Sequence, residues 1–259
     1  MIISSVQIYL IMTTSNTFNS SLDELDDSKD LDSVKNGGSK NTHLKPFPMP
    51  HQLKAIAAAE EGLKHSDRGQ LVMPPGTGRA FTSFLINERL NPERTLVLLP
   101  SLPLLSQVLK DWTYETSEPF DWICVCSLKS ATTDLDEINS FLKGKGKKVV
   151  FSTYKSCHKI SEVQKDRGIP MFDLLIAEEA NCVGKNSNAF RAISDDDQIR
   201  SKKRLFFSAT PIKDFDVGKT TSSEKKLDKF STNDFSIFGD IFHLLNFSEI
   251  LGTEVEVHS

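Results

Sequence analysis

The sequence of 259 residues lacks the features that would place it in a membrane or in a secretory pathway. No run approaches the roughly 18 consecutive apolar residues that a membrane-spanning helix needs. The apolar start, residues 1–12, lacks the basic beginning and the small-residue cleavage site of a signal peptide. There is no internal repeat. These absences predict an intracellular protein, cytoplasmic or nuclear (or nucleoid), with no membrane partner.

Cysteine and an excess of positive charge are also scarce. The four cysteines show no paired metal-ligand spacing, and Cys124 and Cys126 share one face of a predicted strand. Buried free thiols in a reducing compartment are therefore the favoured interpretation. The formal net charge of -4 argues against a globally basic coat for nucleic acid. A local basic groove stays compatible with it, because steering depends on how charge is distributed.

Polar residues dominate the beginning of the chain, where residues 13–44 are rich in Ser, Asp, Asn and Lys. Such a segment cannot bury enough apolar surface to offset the entropy lost on ordering. The sequence therefore predicts a disordered polar and acidic tail over residues 1–44 and a folded domain over residues 45–259. A second polar stretch, residues 213–234, is predicted to be a long mobile loop.

Short β-type runs alternate with helix-forming stretches through the rest of the chain. Strands are predicted at 70–73, 95–99, 122–126, 148–154, 174–177 and 204–208, and helices at 50–63, 79–90, 104–112, 135–142, 156–165 and 237–251. The apolar residues predicted to share one face of the first helix are Leu53, Ile56, Ala57 and Leu63. Continuous apolar strands that alternate with helices indicate an α/β fold, a mainly parallel sheet with helices on both faces.

The stretch 71–82, Leu-Val-Met-Pro-Pro-Gly-Thr-Gly-Arg-Ala-Phe-Thr, combines a strand end, a Gly-rich turn, a cation and a helix start. That order is typical of a phosphate-binding loop, in which backbone N–H groups and a helix N-terminus hold an anion. Against the pattern G-x-x-x-x-G-K-[ST], Met73 stands at the first Gly, Arg79 at the Lys and Ala80 at the Ser/Thr. Taken alone, such a turn between strand and helix is most often only a turn.

Other polar segments follow the later predicted strands, at 100–107, 152–154, 178–181 and 208–211. Ligands gather at the carboxyl ends of strands in open α/β sheets, so these positions are the informative ones. Each segment alone is compatible with an ordinary loop. The order of all of them along the chain is much more specific.

In this order the segments resemble the motifs of the first RecA-like lobe of superfamily 2 DEAD/DEAH helicases, especially the type III restriction-subunit-like ATPases. The resemblance covers roughly residues 46–259 and implies a RecA-like P-loop NTPase domain that uses ATP with Mg²⁺. It also implies a nucleic-acid partner, DNA rather than RNA. Too few residues follow Thr210 for a second RecA-like lobe, so that lobe is expected to be absent here and supplied by another polypeptide or by a longer gene.

The resemblance also implies roles for individual residues. The adenine-reading residue would be Gln52, and the phosphate loop would use Pro75, Gly76, Thr77, Gly78, Arg79 and Ala80. Of the acidic pair, Glu178 would hold Mg²⁺ and Glu179 would orient and deprotonate the attacking water. The residues that couple the motifs would be Asn181, Ser208, Ala209 and Thr210. The residues that grip a nucleic-acid backbone would be Ser101, Leu102, Ser152 and Thr153.

Three of these positions depart from the family pattern. Arg79 keeps the charge of the family Lys but presents a larger planar fork, and Ala80 has no oxygen for a metal. Thr82 and Ser83 are near Ala80 in sequence but are expected to point elsewhere on the helix. Glu178 has one methylene more than Asp, and Mg²⁺ demands near-ideal octahedral geometry. The degenerate loop and acidic pair predict weak nucleotide binding with negligible hydrolysis.

Simpler interpretations of the same residues stay open. Glu178 and Glu179 can be a solvated pair at a strand end, and Ser101 and Thr153 can cap helices. The basic run 143–148 is more often a solvated turn, and the two Trp residues are predicted to pack in the interior. The function is then either an ATP-binding lobe with impaired hydrolysis, unable to unwind alone, or a non-catalytic module for nucleic acid or protein, or else a fragment of a larger active helicase.

Overall fold

The computed structural model of the protein describes residues 46–116, 120–180, 193, 195–209 and 235–246. These residues belong to one compact unit, residues 40–259. The predicted tail, residues 1–44, and the predicted mobile loop, residues 213–234, lie outside the described residues.

A parallel sheet of seven strands forms the centre of the fold, in the order β3-β4-β2-β5-β6-β1-β7. Every strand pair in it is parallel. The strands are β1 Arg68–Val72, β2 Arg94–Leu99, β3 Asp121–Val125, β4 Lys148–Thr153, β5 Leu174–Ala177, β6 Arg204–Ser208 and β7 Asp240–Leu244. The predicted α/β class is confirmed, and β1 to β6 lie where the apolar runs predicted them.

Helices connect the strands, as a parallel sheet requires. Their bounds are α1 Pro50–His65, α2 Arg79–Leu90, α3 Leu102–Glu115, α4 Leu135–Lys143, α5 Cys157–Gln164 and α6 Phe235–Phe238. Helix α2 has the bounds that the sequence predicted. None of the helices described is long and apolar enough to cross a membrane.

The apolar pattern predicted the buried face of α1 only in part: Ile56 and Leu63 are buried as predicted, and Leu53 and Ala57 are not. Its buried residues are Gln52, Ala55, Ile56, Ala59 and Leu63. Leu53 is exposed over 42% of its surface, and Ala57 is exposed too. The prediction failed for Leu53 and Ala57 because a pattern of apolar residues gives no weight to Gln52, whose amide is used inside the fold.

The helix predicted over 237–251 is also wrong within its described part. Only the short α6 is helical, and after Gly239 the chain continues as β7, which pairs with β1 at the sheet edge. Gly239 has a φ of 71°, and a Cβ there would lie 2.3 Å from the Arg68 carbonyl oxygen. The edge of β1 has backbone groups that need hydrogen-bond partners, and β7 provides them by pairing with β1 as a strand.

Strand β7 is held against the rest of the fold by the ring of Phe242. A Cβ added to Gly62 on α1 would lie 2.5 Å from this ring, and one added to Gly69 on β1 would lie 2.1 Å from it. Both positions therefore need glycine, because any larger residue would displace the ring. The ring rests on the two glycines at once.

Aromatic rings form the packing between α2, α3 and β4. Trp112 is fully buried, and its ring centroid lies 5.7 Å from that of Phe84 and 5.6 Å from that of Phe151, both in edge-on contact. The prediction that Trp112 packs in the interior is confirmed, and Trp122 is half-buried on β3. Edge-on aromatic pairs add to the free energy of simple burial.

Three cysteines, Cys124, Cys126 and Cys157, are buried, as predicted. Cys182 lies outside the described residues. The basic run is a solvated turn only in part. Lys148 is buried, its Nζ lies 2.5 Å from Asp121 Oδ2, and the same nitrogen lies over the ring of Phe141. Lys145, by contrast, is exposed.

Replacing the buried tryptophan tests this packing. Trp112→Ala should lower the free energy of unfolding by about 3–5 kcal/mol, because the side chain leaves a cavity between α3 and β4. Tyr114→Ala on the same helix is the control, since Tyr114 is 62% exposed. Its change should stay within about 0.5 kcal/mol. Urea unfolding measures both, and equal losses would contradict this assignment of the core.

Candidate functional site

The loop of residues 73–78 joins the end of β1 to the start of α2. Met73 is buried, and its N–H donates to the Ser208 carbonyl oxygen at 2.9 Å, so the loop begins in register with the end of β6. Gly76 and Gly78 have φ values of 79° and 76°, which favour glycine. The Thr77 hydroxyl donates to the Pro74 carbonyl oxygen at 2.7 Å. The result is a tight turn that delivers the N-terminus of α2, whose first amides have no intrahelical partner and suit an anion.

Gln52 of α1 binds this loop through hydrogen bonds of its side-chain amide. Its Nε2 donates to the carbonyl oxygens of Thr77 at 3.1 Å and Gly78 at 3.4 Å, and its Oε1 accepts from the Met49 N–H at 2.8 Å. A Cβ on Gly78 would lie 2.2 Å from the same Nε2. The structure thus places Gln52 at the loop. A role in reading adenine stays a prediction and would compete with these bonds.

Arg79, the first residue of α2, reaches across the site to the end of β5. Its Nη2 forms an ion pair with Glu179 Oε1, and the two side chains are only 15% and 20% exposed. Glu179 has a φ of 51°, a left-handed conformation that non-glycine residues rarely adopt. Such a conformation costs about 1–2 kcal/mol and concentrates at functional sites. The turn directs Glu179 towards Arg79.

Glu178 lies beneath this ion pair and is only 3% exposed. Its N–H donates to the Leu98 carbonyl oxygen at 2.9 Å, and its own carbonyl oxygen accepts from the Tyr154 hydroxyl at 2.8 Å. The interpretation of a solvated acidic pair is therefore wrong for Glu178. Its backbone is fixed between β2 and the turn after β4.

Burial raises the pKa of Glu178 to about 7, and the like charge of Glu179 adds to the rise. The charge of Arg79 and a hydrogen bond from Ser83 act in the opposite direction. Two buried atoms of opposite character, Glu178 Oε1 and Arg79 Nη1, have no hydrogen-bond partner among the described residues. Unpaired buried polar atoms are costly and mark this as a place where a ligand can bind.

The residues present do not fit the Mg²⁺ site of the family pattern. Ala80 offers no oxygen, and Arg79 brings a positive charge next to the acidic pair. The described part of the chain contains no group of three or more His, Cys, Asp or Glu side chains placed to hold a metal. Glu178 Oε1 has no hydrogen-bond partner among the described residues, but a protein site for Mg²⁺ relies on several well-placed oxygens in a strict octahedron.

The remaining residues of the predicted coupling set are divided. Ser208 is buried at the end of β6, beside the loop that begins at Met73, and Ala209 is half-buried. Asn181 and Thr210 lie outside the described residues. The structure thus brings together Gln52, the loop, the acidic pair and Ser208 at one edge of the sheet.

The predicted nucleic-acid residues differ in accessibility. Ser101 is exposed and caps α3, its hydroxyl accepting from the Leu104 N–H at 3.4 Å, and Leu102 is half-buried in the first turn. Ser152 is fully buried, and its hydroxyl donates to the Val125 carbonyl oxygen at 2.8 Å. Their contact with nucleic acid stays a prediction, and for Ser152 it would need this bond to break.

Thr153 does not cap the helix that follows it. Helix α5 begins after Ser156, which is its N-cap residue and makes no side-chain capping bond. Thr153 itself is buried at the end of β4. Its backbone carbonyl instead accepts from the Ser156 N–H at 3.0 Å in the connecting turn. The capping interpretation is therefore confirmed for Ser101 and wrong for Thr153.

The sequence prediction that Ser83 points away from this site is wrong. The Ser83 hydroxyl donates to the Ala80 carbonyl oxygen at 3.0 Å and also interacts with Glu178. Thr82 does point elsewhere, because its hydroxyl bonds to the Gly78 carbonyl oxygen at 3.1 Å. The signal for Ser83 was its spacing, since residues three apart on a helix lie on one face.

The raised pKa of Glu178 predicts a pH dependence of stability. The folded state holds the proton more tightly than the unfolded chain, whose carboxyl has a pKa near 4.5. Stability from the protonated form is therefore complete below that value and is lost as the pH rises through about 7. Glu178→Gln should remove this pH-dependent loss. Between acidic and mildly basic pH, the free energy of unfolding of the variant should therefore rise relative to that of wild type by about 3 kcal/mol.

Unfolding free energies measured in urea across this pH range would test the prediction. Glu162→Gln is the control, because Glu162 is exposed on α5. It should give a curve parallel to that of wild type. A parallel curve for Glu178→Gln would show that the buried carboxyl is not protonated preferentially in the folded state.

Comparisons with known proteins identify the family and the fold. The family model described as "Type III restriction enzyme, res subunit" matches residues 45–213. No curated protein sequence matches the chain. Among solved structures, a nuclease-deletion mutant of the Type ISP restriction-modification enzyme LlaGI, in complex with a DNA substrate mimic, is 29% identical with a TM-score of 0.65. The match covers 80% of this chain and 20% of that one.

The DNA-bound Type ISP enzyme LlaBIII is likewise 29% identical, with a TM-score of 0.68, over 80% of this chain and 16% of that one. The Pyrococcus furiosus Hef helicase domain shares the fold at 18% identity and a TM-score of 0.50, over 75% of this chain and 37% of that one. The chain thus spans a fifth or less of the length of the two restriction enzymes. It belongs to the family of the type III restriction enzyme res subunit, as an ATPase-type lobe of the superfamily 2 helicase fold.

Proposed function

We propose that this lobe binds ATP weakly at the loop of residues 73–80, hydrolyses it negligibly and cannot unwind nucleic acid alone. The ion pair between Arg79 and Glu179 is the observation that carries the proposal. It joins the residue at the position of the family Lys to the residue at the position of the family base.

A general base needs a free oxygen within reach of the attacking water. Arg79 donates to Glu179 Oε1, and both side chains are largely removed from solvent. Breaking this pair would leave the guanidinium or the carboxylate buried without a partner, which is strongly unfavourable. Glu179 is therefore held in a structural contact that keeps it from acting as a base.

The losses at the metal positions act in the same direction. Removing one contact made to a transition state typically slows a reaction by about 10²-fold or more. Arg79, Ala80 and Glu178 all depart from the family pattern. The losses of rate from such changes are not additive, so the combined loss is not the sum of the three. Departures at three adjoining positions are nevertheless enough to bring turnover close to the background rate.

DNA is the proposed nucleic-acid partner, as in the DNA-bound structures of LlaGI and LlaBIII. The exposed Ser101 at the start of α3 supports this, because a helix N-terminus binds phosphate well. Since those enzymes are far longer than this chain, the arginine finger and second lobe would come from another polypeptide or from further parts of a longer protein.

The second candidate function is a non-catalytic module that binds nucleic acid or a protein. The Arg79–Glu179 ion pair favours it, because it stabilises these two side chains without nucleotide. The two candidates differ in one measurement. Only the first requires that ATP bind at the loop of residues 73–80.

A DNA-stimulated ATPase assay on the purified chain tests the hydrolysis part. We expect no turnover above the background of Glu179→Gln, since Glu179 is already engaged by Arg79. Active enzymes commonly turn over at about 1 per second or faster. A wild-type rate of that order, absent in Glu179→Gln, would overturn the proposal.

Restoring the family residues tests the assignment of the site. The triple change Arg79→Lys, Ala80→Thr and Glu178→Asp should tighten Mg·ATP binding by about tenfold or more, the scale on which groups around a metal change its affinity. Calorimetric titration with a non-hydrolysable ATP analogue measures the dissociation constant. Arg89→Lys, at the exposed end of α2, is the matched control. An unchanged constant in the triple variant would count against the site.

A further inference from the structure

Mg²⁺ is the component of the family site that this chain does not accommodate. We infer that the loop binds the phosphates of a nucleotide without a divalent cation, and that the Arg79 guanidinium supplies the positive charge instead. The inference rests on the proposed nucleotide binding and specifies the form of the ligand. It concerns affinity and not catalysis.

The Arg79 guanidinium already interacts with both acidic side chains. Arg79 Nη2 is bound to Glu179, and the same charge acts on the Glu178 carboxyl. In the family pattern these carboxylates face a divalent ion. A second cation between them would be repelled by the guanidinium at close range, where the low polarity of a buried site strengthens the repulsion.

The hydroxyl groups that could replace the missing metal ligand already make hydrogen bonds within the protein. Ala80 contributes no oxygen at the position where the family has Ser or Thr. Thr82 donates to the Gly78 carbonyl oxygen at 3.1 Å, and Ser83 donates to the Ala80 carbonyl oxygen at 3.0 Å. Both side chains are fully buried, so moving either hydroxyl towards a metal would break a buried hydrogen bond.

Phosphate binding itself needs no metal. The turn and the first amides of α2 supply N–H donors, and a guanidinium matches the geometry of two phosphate oxygens. Arg79 Nη1 is buried and makes no hydrogen bond to any described residue. A phosphate oxygen at the helix N-terminus would satisfy this donor while Nη2 stays on Glu179. The guanidinium is thus placed to bridge ligand and protein.

Titration of a fluorescent ATP analogue, mant-ATP, in excess EDTA and in saturating Mg²⁺ tests the inference. We expect the two dissociation constants to agree within about threefold, below the roughly 5- to 150-fold of typical coupled sites. A second measurement is the melting temperature. ATP should raise it by similar amounts in both conditions, because a ligand that binds the folded state stabilises it in proportion to its affinity.

Each outcome separates the inference from the proposed function. Similar affinities in EDTA and Mg²⁺ support both. Binding that appears only with Mg²⁺ overturns the inference and leaves nucleotide binding intact. Binding in neither condition overturns the proposed function, and the inference with it.

Variants identify the group that replaces the metal. Arg79→Ala should weaken metal-free binding by about tenfold or more, as expected when a charged hydrogen bond to a phosphate is removed, whereas Arg89→Ala on the same helix should not. The double change Arg79→Lys with Ala80→Thr should make binding Mg²⁺-dependent by at least about fivefold. Melting without nucleotide verifies that each variant folds. Metal-free binding unaffected by Arg79→Ala would refute the role of the guanidinium.

Discussion

The parallel pairing of β5, β6 and β1 is the constraint on which the site depends. Backbone hydrogen bonds place these strands side by side, although Glu178 and Arg79 are far apart along the chain. Because parallel strands all end at the same edge, the loop after β1 and the acidic pair after β5 must meet there. The bond from Met73 N–H to the Ser208 carbonyl oxygen extends this register by one residue, into the loop itself. Every later contact at the site follows from that alignment.

At this edge of the sheet the protein supplies charges of both signs. Two acidic side chains and one arginine form the centre, and Glu178 is buried deeply enough for its pKa to be strongly raised. In a site that binds a divalent cation, the carboxylates are usually free to coordinate it. Here Arg79 of α2 pairs with Glu179, and Ser83 supports Glu178 from one turn further along the same helix. The fold of the family is retained around this ion pair.

Much of this was predictable from the sequence, for physical reasons that can be named. The strands β2, β4, β5 and β6 are almost wholly buried and contain short apolar runs, and the Gly-rich turn identifies its own position. The face of α1 was not predictable, because the partners of Gln52 are carbonyls of a loop 25 and 26 residues away. Strand β7 was predicted to be a helix because its local apolar pattern gives no information about the edge of β1, with which it pairs. The ion pair of Arg79 depends on the left-handed backbone of Glu179, which no side-chain pattern specifies.

The hydrogen bonds from Gln52 to the loop of residues 73–78 couple α1 and this loop into one cooperative unit. Gln52 holds two carbonyls of the loop while α1 itself packs on β7 and α2. Any ligand that orders the loop must therefore also oppose the local unfolding of α1, and by reciprocity anything that binds α1 alters the affinity of the loop. The amide protons of α1 would then exchange more slowly when the phosphate site is filled. A helix that touches no phosphate thus reports on the occupancy of the site.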